Sequence, residues 1–251
     1  MKKLWWRQTE TTGGHSELRN GGPSRFVTLT QHLAVAVFKR SARVSRKASN
    51  IGQIADYISW LKGTFPAVRH FATREELWSV MLIRASSEAI RGVEFGVAWG
   101  YGTNWWLTHL SDEHLRWDGF DRFTGLPREW RDMDEGSFNA GGRPPDISDG
   151  RVTWHVGDLE DHIDALLFDR TVDKQLLILF DLDIYEPSAV AWEHVKPFLR
   201  PGDLLYFDEA FDADERRLLR ESVLPSGQFE LVGATPMALA LCVRAMSGPE
   251  N

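Results

Sequence analysis

The chain has 251 residues, of which 29 are Lys or Arg and 36 Asp or Glu, for a formal charge of −7. Apolar residues at 43% and charged residues at 26% are ordinary for a globular protein and exclude disorder throughout. The longest run of purely aliphatic and aromatic residues, Leu33 to Phe38, is six residues, far short of the ~20 needed to cross a bilayer as a helix. Cys242 is the single cysteine, so no internal disulfide forms. With no apolar leader at the start, a reducing cytoplasm is the expected compartment.

Charge is uneven along the chain. Residues 1–50 carry ten basic and two acidic side chains, and residues 51–251 carry 19 and 34. An acidic body argues against a nucleic-acid footprint, which draws its affinity from Lys and Arg clusters. The basic arm reads as a solvated extension, with a nucleic-acid, membrane or import contact as its alternatives.

In chain order, residues 1–25 hold two Gly-Gly pairs and Pro23 among polar residues and are expected to be poorly ordered. A helix is expected over 27–44, ending in the basic run 40–47. A second set of apolar residues at helical spacing runs from Ile51 to Leu61 until Gly63 and Pro66 stop it. Thr73-Arg74-Glu75-Glu76 has the form of a capping box and predicts a helix from 74 to about 90. From Gly92 the pattern becomes strand, turn, helix, repeated. Strands are expected at 92–96, 117–120, 152–156, 176–181 and 203–207, then 229–233 and 238–244 separated by a Thr-Pro turn. Alternation implies an α/β, doubly wound (Rossmann-like), mostly parallel sheet with helices on both faces and a terminal antiparallel strand. The expected organisation is a basic N-terminal extension over 1–74, helical in part and serving as a lid or oligomer contact, a catalytic domain over 75–246, and a flexible tail over 247–251.

Glu94-Phe95-Gly96-Val97-Ala98-Trp99-Gly100-Tyr101-Gly102-Thr103 is the most informative stretch. Such a turn at the carboxyl edge of a parallel sheet lets a ligand approach the backbone, and the following helix offers unpaired amides. The spacing Gly96-x3-Gly100-x-Gly102 departs from the G-x-G-x-x-G of dinucleotide sites, so NAD is disfavoured. With an acid two residues before the first glycine, the stretch resembles motif I of class I S-adenosylmethionine-dependent methyltransferases. That resemblance implies that the loop passes the methionine part of the cofactor and that Glu94 helps orient it. Asp121 follows Gly102 by nineteen residues, at the strand end where a doubly wound fold grips ribose hydroxyls.

Gly119-Phe120-Asp121-Arg122-Phe123-Thr124-Gly125-Leu126-Pro127-Arg128-Glu129-Trp130 is similar to the G-F-D-S-F-x-G-L-P-x-x-W signature of the macrocin O-methyltransferase (TylF/MycF) family, which acts on sugar hydroxyls in macrolide biosynthesis. Arg122 departs from it, since the pattern has Ser there. The resemblance, spanning about 90–210, implies cofactor contacts from Glu94, Phe95, Gly96, Gly100, Gly102, Thr103, Asp121, Arg122, Phe123, Gly157, Asp158 and Asp181. Asp158, in Val156-Gly157-Asp158-Leu159, reads equally as an adenine contact and as the N-cap of a helix over 159–167.

Two acidic pairs end strands: Asp181 and Asp183 after Leu176 to Phe180, and Asp208-Glu209 after Leu204 to Phe207. Neighbouring strand ends converge at the carboxyl edge, and four carboxylates there repel unless a cation or donor stands between them. A hard divalent ion, Mg²⁺ or else Mn²⁺ or Ca²⁺, suits such oxygens. The resemblance implies Asp181, Asp208 and Glu209 as metal ligands beside the substrate diol, with Asp183 at or near the metal. The alternative for Asp183 is a helix cap and for Glu209 a solvated side chain.

The implied reaction is transfer of a methyl group from S-adenosylmethionine to a hydroxyl of a small molecule, a sugar or natural product. The metal orients and acidifies that hydroxyl, and Asp181 or Asp183 accepts its proton. No zinc-like His or Cys spacing is present. The competing readings are a non-catalytic cofactor- or sugar-binding protein on the same scaffold, and a metal-dependent enzyme of different chemistry. Nucleic-acid methylation lacks both a basic reading surface and an N/D-P-P-Y segment.

Overall fold

The computed structural model describes residues 42–85, 89–131 and 133–247. The chain divides into compact units of 1–47 and 48–251. Of the first, the described residues 42–47 are helical. The expectations for 1–25 and for a helix over 27–41 lie outside the described residues.

Helix α1 (Ala42–Thr64) runs through 44–51 unbroken. The expected stop at the basic run is therefore corrected, because 42–62 contains no Pro and only Gly52 as a weak former. Its Tyr57 and Leu61 are fully buried, and the Tyr57 hydroxyl donates to the Ala238 carbonyl at 2.8 Å. Helix α2 (Arg74–Arg84) begins as the capping box predicts. Thr73 Oγ1 accepts from the Glu76 amide at 3.3 Å, while the Glu76 carboxylate reaches back to the amide of Ala72 at 2.8 Å. It ends at Arg84 rather than about 90, because Ile90 already pairs with Gln175 in the sheet.

Seven strands follow: β1 (Ile90–Phe95), β2 (Arg116–Asp121), β3 (Val152–Val156), β4 (Gln175–Phe180), β5 (Leu204–Phe207), β6 (Gly227–Ala234) and β7 (Leu239–Met246). Between them lie α3 (Tyr101–His109), the single turn α4 (Leu159–His162), α5 (Tyr185–Val195) and α6 (Ala213–Leu218). The helix expected over 159–167 is only this turn and a tighter one over Ile163–Ala165. The sheet order is β3-β2-β1-β4-β5-β7-β6. The first five strands are parallel, and β7 is antiparallel to both β5 and β6.

Buried β4 shows why the sheet needs two covered faces. Leu176, Ile178 and Phe180 join one core with Phe95, Phe207 and Trp192 of α5. Leu177 and Leu179 join the other with Trp78 of α2 and Trp106 of α3. A strand apolar at every position gains burial, roughly 1.5–3 kcal/mol per large side chain, only when helices cover both sides. After β1 the chain steps to β2 on one side, and β4 lies on the other, so the crossovers part at the carboxyl ends of β1 and β4 and leave a crevice.

Candidate functional site

That crevice is a cavity of about 770 Å³, lined from the carboxyl ends of β1, β2, β4 and β5. The glycine turn after β1 forms its floor. Gly96 has φ +89°, and a Cβ there would stand 1.8 Å from the Asp181 carbonyl oxygen, so only glycine lets the ends of β1 and β4 meet. A Cβ on Gly102 would reach Glu94 Oε1 at 2.4 Å, so this glycine leaves room for the buried acid.

Glu94 Oε2 accepts from the Thr103 hydroxyl and from Trp117 Nε1 at 3.2 Å. Burial pushes its carboxyl up to about 7, against the pull of these donors. Glu94 lines the cavity, but both partners are protein groups that tie β1 to β2 and the start of α3.

Asp121 Oδ2 accepts from the amides of Val97 (2.8 Å) and Ala98 (2.7 Å), and Oδ1 from the Phe123 amide (2.5 Å). The expected ribose acid is thus first the staple of the glycine turn. It holds Ala98 in a left-handed conformation, φ 47°. Of about four acceptor directions on a carboxylate, three are used and one remains for a hydroxyl. Arg122 Nε pairs with Asp158 Oδ1 at 2.7 Å. Asp158 stands at the N-cap of α4 but makes no side-chain capping bond, so its carboxylate serves Arg122 and the cavity instead. Gly157 also lines the cavity; Phe95, Gly100, Thr103 and Phe123 stand outside its lining. Phe95 packs between Phe120 and Phe180, and the Phe123 carbonyl accepts the Ala140 and Gly142 amides, folding the β2–β3 connection.

The four expected carboxylates do converge: Asp181, Asp183, Asp208 and Glu209 all line the cavity. Asp183 sits in a left-handed conformation, φ 62°, and α5 is capped by Ile184, so Asp183 is no helix cap. Burial, then Asp208, Asp183 and Glu209, push Asp181 well above the usual carboxylate range. Burial with Asp208 and Asp212 raises Asp183 to about 7. Burial with Asp208 and Asp183 raises Glu209 to about 9, opposed by Arg131.

Several groups that the sequence analysis did not single out complete this cluster. The Tyr206 hydroxyl donates to Asp208 Oδ1, and Arg74 lies 3.5 Å from Oδ2. Arg131 lies 3.5 Å from Glu209 Oε2 and 3.7 Å from Asp212 Oδ2. Glu215, fully buried, accepts the Glu209 amide at 2.9 Å. Tyr206 alone was readable, because period-two alternation puts it on the same face as Asp208. Arg74 and Arg131 come from a capping box and a connection, and only folding brings them here. Among the described residues no three His, Cys, Asp or Glu side chains are arranged to hold a metal ion as they stand; Arg74 and Arg131 take carboxylate oxygens of Asp208 and Glu209. His155 pairs with Asp118 away from the cavity, and Cys242 is buried in β7, both as core residues.

Residues 93–210 match the family model described as a methyltransferase domain. The fold is similar to that of CalS11, a calicheamicin methyltransferase, at 19% identity over 93% of this chain and 99% of that one, with a TM-score of 0.50. It is also similar to the O-methyltransferase NovP, at 16% identity over 68% and 77%, with a TM-score of 0.47. No curated protein matches. The segment from β1 to the end of β5 thus matches a methyltransferase domain, and the sheet order agrees with the fold of the similar structure. Among the described residues no helix is long and apolar enough to cross a membrane.

Proposed function

We propose that the protein transfers a methyl group from S-adenosylmethionine to a hydroxyl oxygen of a small molecule, a sugar or natural product, in the cytoplasm, with residues 75–246 as the catalytic domain. The carrying observation is the meeting, in one cavity, of the stapled glycine turn and the carboxylates of the β4 and β5 ends. The resemblance at 119–144 suggests the acceptor class, and CalS11 is named as a calicheamicin methyltransferase.

S-adenosylmethionine supplies an electrophilic methyl group, so the chain's task is to align an oxygen with it and remove a proton. Gly96 and Gly102 of the glycine turn, with Asp121, bind the donor. Asp183 takes the hydroxyl proton as the O–C bond forms and the C–S bond breaks. The donor set at the β4 and β5 ends, all carboxylate oxygen, fits a hard divalent cation. Asp181, Asp208 and Glu209 would hold Mg²⁺ or Mn²⁺ once Arg74 and Arg131 yield their oxygens, both contacts being long at 3.5 Å. Such an ion would lower the acceptor hydroxyl's pKa.

Calorimetric titration with S-adenosylhomocysteine should show one site per chain, and no binding would overturn the reading. Asp183→Asn should leave that affinity unchanged while lowering kcat by about 10²–10⁴. A loss of binding instead would remove Asp183 from the proton-accepting role.

A further inference from the structure

The described residues leave eight large apolar side chains exposed, and three of them, Trp99 (63%), Tyr101 (53%) and Met237 (40%), line this one cavity. The fold otherwise hides its large aromatics: Trp78, Trp106, Trp117 and Trp192 are all buried. A cluster of exposed apolar side chains in a concave site marks a contact surface.

Of these three side chains, Tyr101 stands at the carboxylate end of the cavity. Arg74 lies 4.9 Å over the Tyr101 ring and 3.5 Å from Asp208, so one guanidinium separates Tyr101 from the acid cluster. Tyr101 is further fixed by its hydroxyl, which donates to Glu75 at 2.8 Å. Trp99 belongs to the glycine turn that Asp121 staples, and meets Phe138 edge-on at 6.2 Å. Two exposed rings thus flank Gly100 in the chain and line one cavity, and a flat partner matches their faces better than a flexible one.

Charge restricts the partner further. The lining has eight carboxylates and two arginines. Among the described residues that line the cavity, both cations are already paired, Arg122 with Asp158 and Arg74 with Asp208 and Glu75. Eight carboxylates outnumber the two arginines by more than one divalent ion would offset, so the lining disfavours a phosphorylated or otherwise anionic acceptor.

We infer that the acceptor is a hydroxylated molecule without an anionic group that carries a planar apolar ring, and that Trp99 and Tyr101 seat this ring while its hydroxyl meets the carboxylate end. The inference rests on the methyltransferase reading above and names its substrate class.

Two β-glucosides that differ only in the aglycone, 4-nitrophenyl β-glucoside and methyl β-glucoside, and the anionic nucleotide sugar uridine diphosphate glucose test it against the full chain loaded with S-adenosylhomocysteine. The 4-nitrophenyl compound should bind about tenfold or more tighter than the methyl one, and tighter than the nucleotide sugar. Trp99→Ala and Tyr101→Leu should each cut the aryl preference several-fold and leave S-adenosylhomocysteine affinity within twofold. An aryl preference below threefold, tighter binding of the nucleotide sugar, or an unchanged preference in both variants would overturn the inference. Weakened S-adenosylhomocysteine binding in both variants would also overturn it, by giving the two rings to the donor. Failure of the wild-type chain to bind S-adenosylhomocysteine would instead overturn the underlying reading.

Discussion

Glu94 and Asp121 both follow sequence patterns associated with ligand binding, yet each has structural partners within the chain. Asp121 holds three backbone amides, and hydrogen bonds to a charged group contribute roughly 1.5–3 kcal/mol each. Asp121→Ala should therefore lower the thermal midpoint as well as weaken S-adenosylhomocysteine at least tenfold, measured by melting and calorimetry. A variant that lost affinity at unchanged stability would mean that the carboxylate serves the ligand alone. Glu94 gives a pH signature. Its folded pKa is raised from 4.5 to about 7, so between those values the folded chain keeps a proton that the unfolded chain has released. Stability falls as pH rises through that window, by at most about 3 kcal/mol. Glu94→Gln keeps an oxygen for Thr103 and Trp117 and removes the titration. It should raise the melting point by several degrees at pH 8 and clearly less at pH 5. Equal shifts at both pH values would refute this account.

At the scale of elements, the connection between β2 and β3 forms one wall of the cavity, and Arg131 fastens it to the β5 end. The guanidinium lies 4.6 Å over Phe211 and 5.0 Å over Trp130, besides its pairing with Glu209 and Asp212. Arg131→Ala should hasten proteolytic cutting within 122–150 and raise the acceptor KM more than it lowers kcat. Unchanged cutting would show that the satellite core of Leu126, Trp130 and Ile184 suffices. Strand–helix alternation made the parallel strands legible, β4 most plainly, because burial on two faces writes a continuous apolar run and turns punctuate it. Helix ends were less legible. The end of α2 is set by the register of β1 against β4, and that pairing has no local signature.

For the whole molecule, the surplus of acid gathers partly at one cavity. Asp181, Asp183, Asp208 and Glu209 line it, with Asp212 and Glu215 in electrostatic reach. Burial raises every one of them, and repulsion within the group adds to it at Asp181, Asp183, Glu209 and Glu215. On the proposed reading, EDTA should abolish methyl transfer, added Mg²⁺ should restore it, and S-adenosylhomocysteine affinity should stay unchanged. Transfer that persists in EDTA would leave Arg74 and Arg131 as the cations of the cluster.

The sequence by itself determined the doubly wound architecture, the glycine turn, and the four carboxylates at two strand ends. All of these follow from local rules: apolar periodicity, glycine where backbones must touch, and adjacency of residues along one strand. Only the tertiary structure decided what each carboxylate holds. Asp121 turned to three amides, Asp158 to Arg122, Asp208 to Tyr206 and Arg74, and Glu209 to Arg131. The partners Arg74 and Arg131 lie 134 and 78 residues away along the chain. Hydrogen bonds and ion pairs act over a few ångströms in space, and no sequence pattern encodes such a distance until the chain has folded.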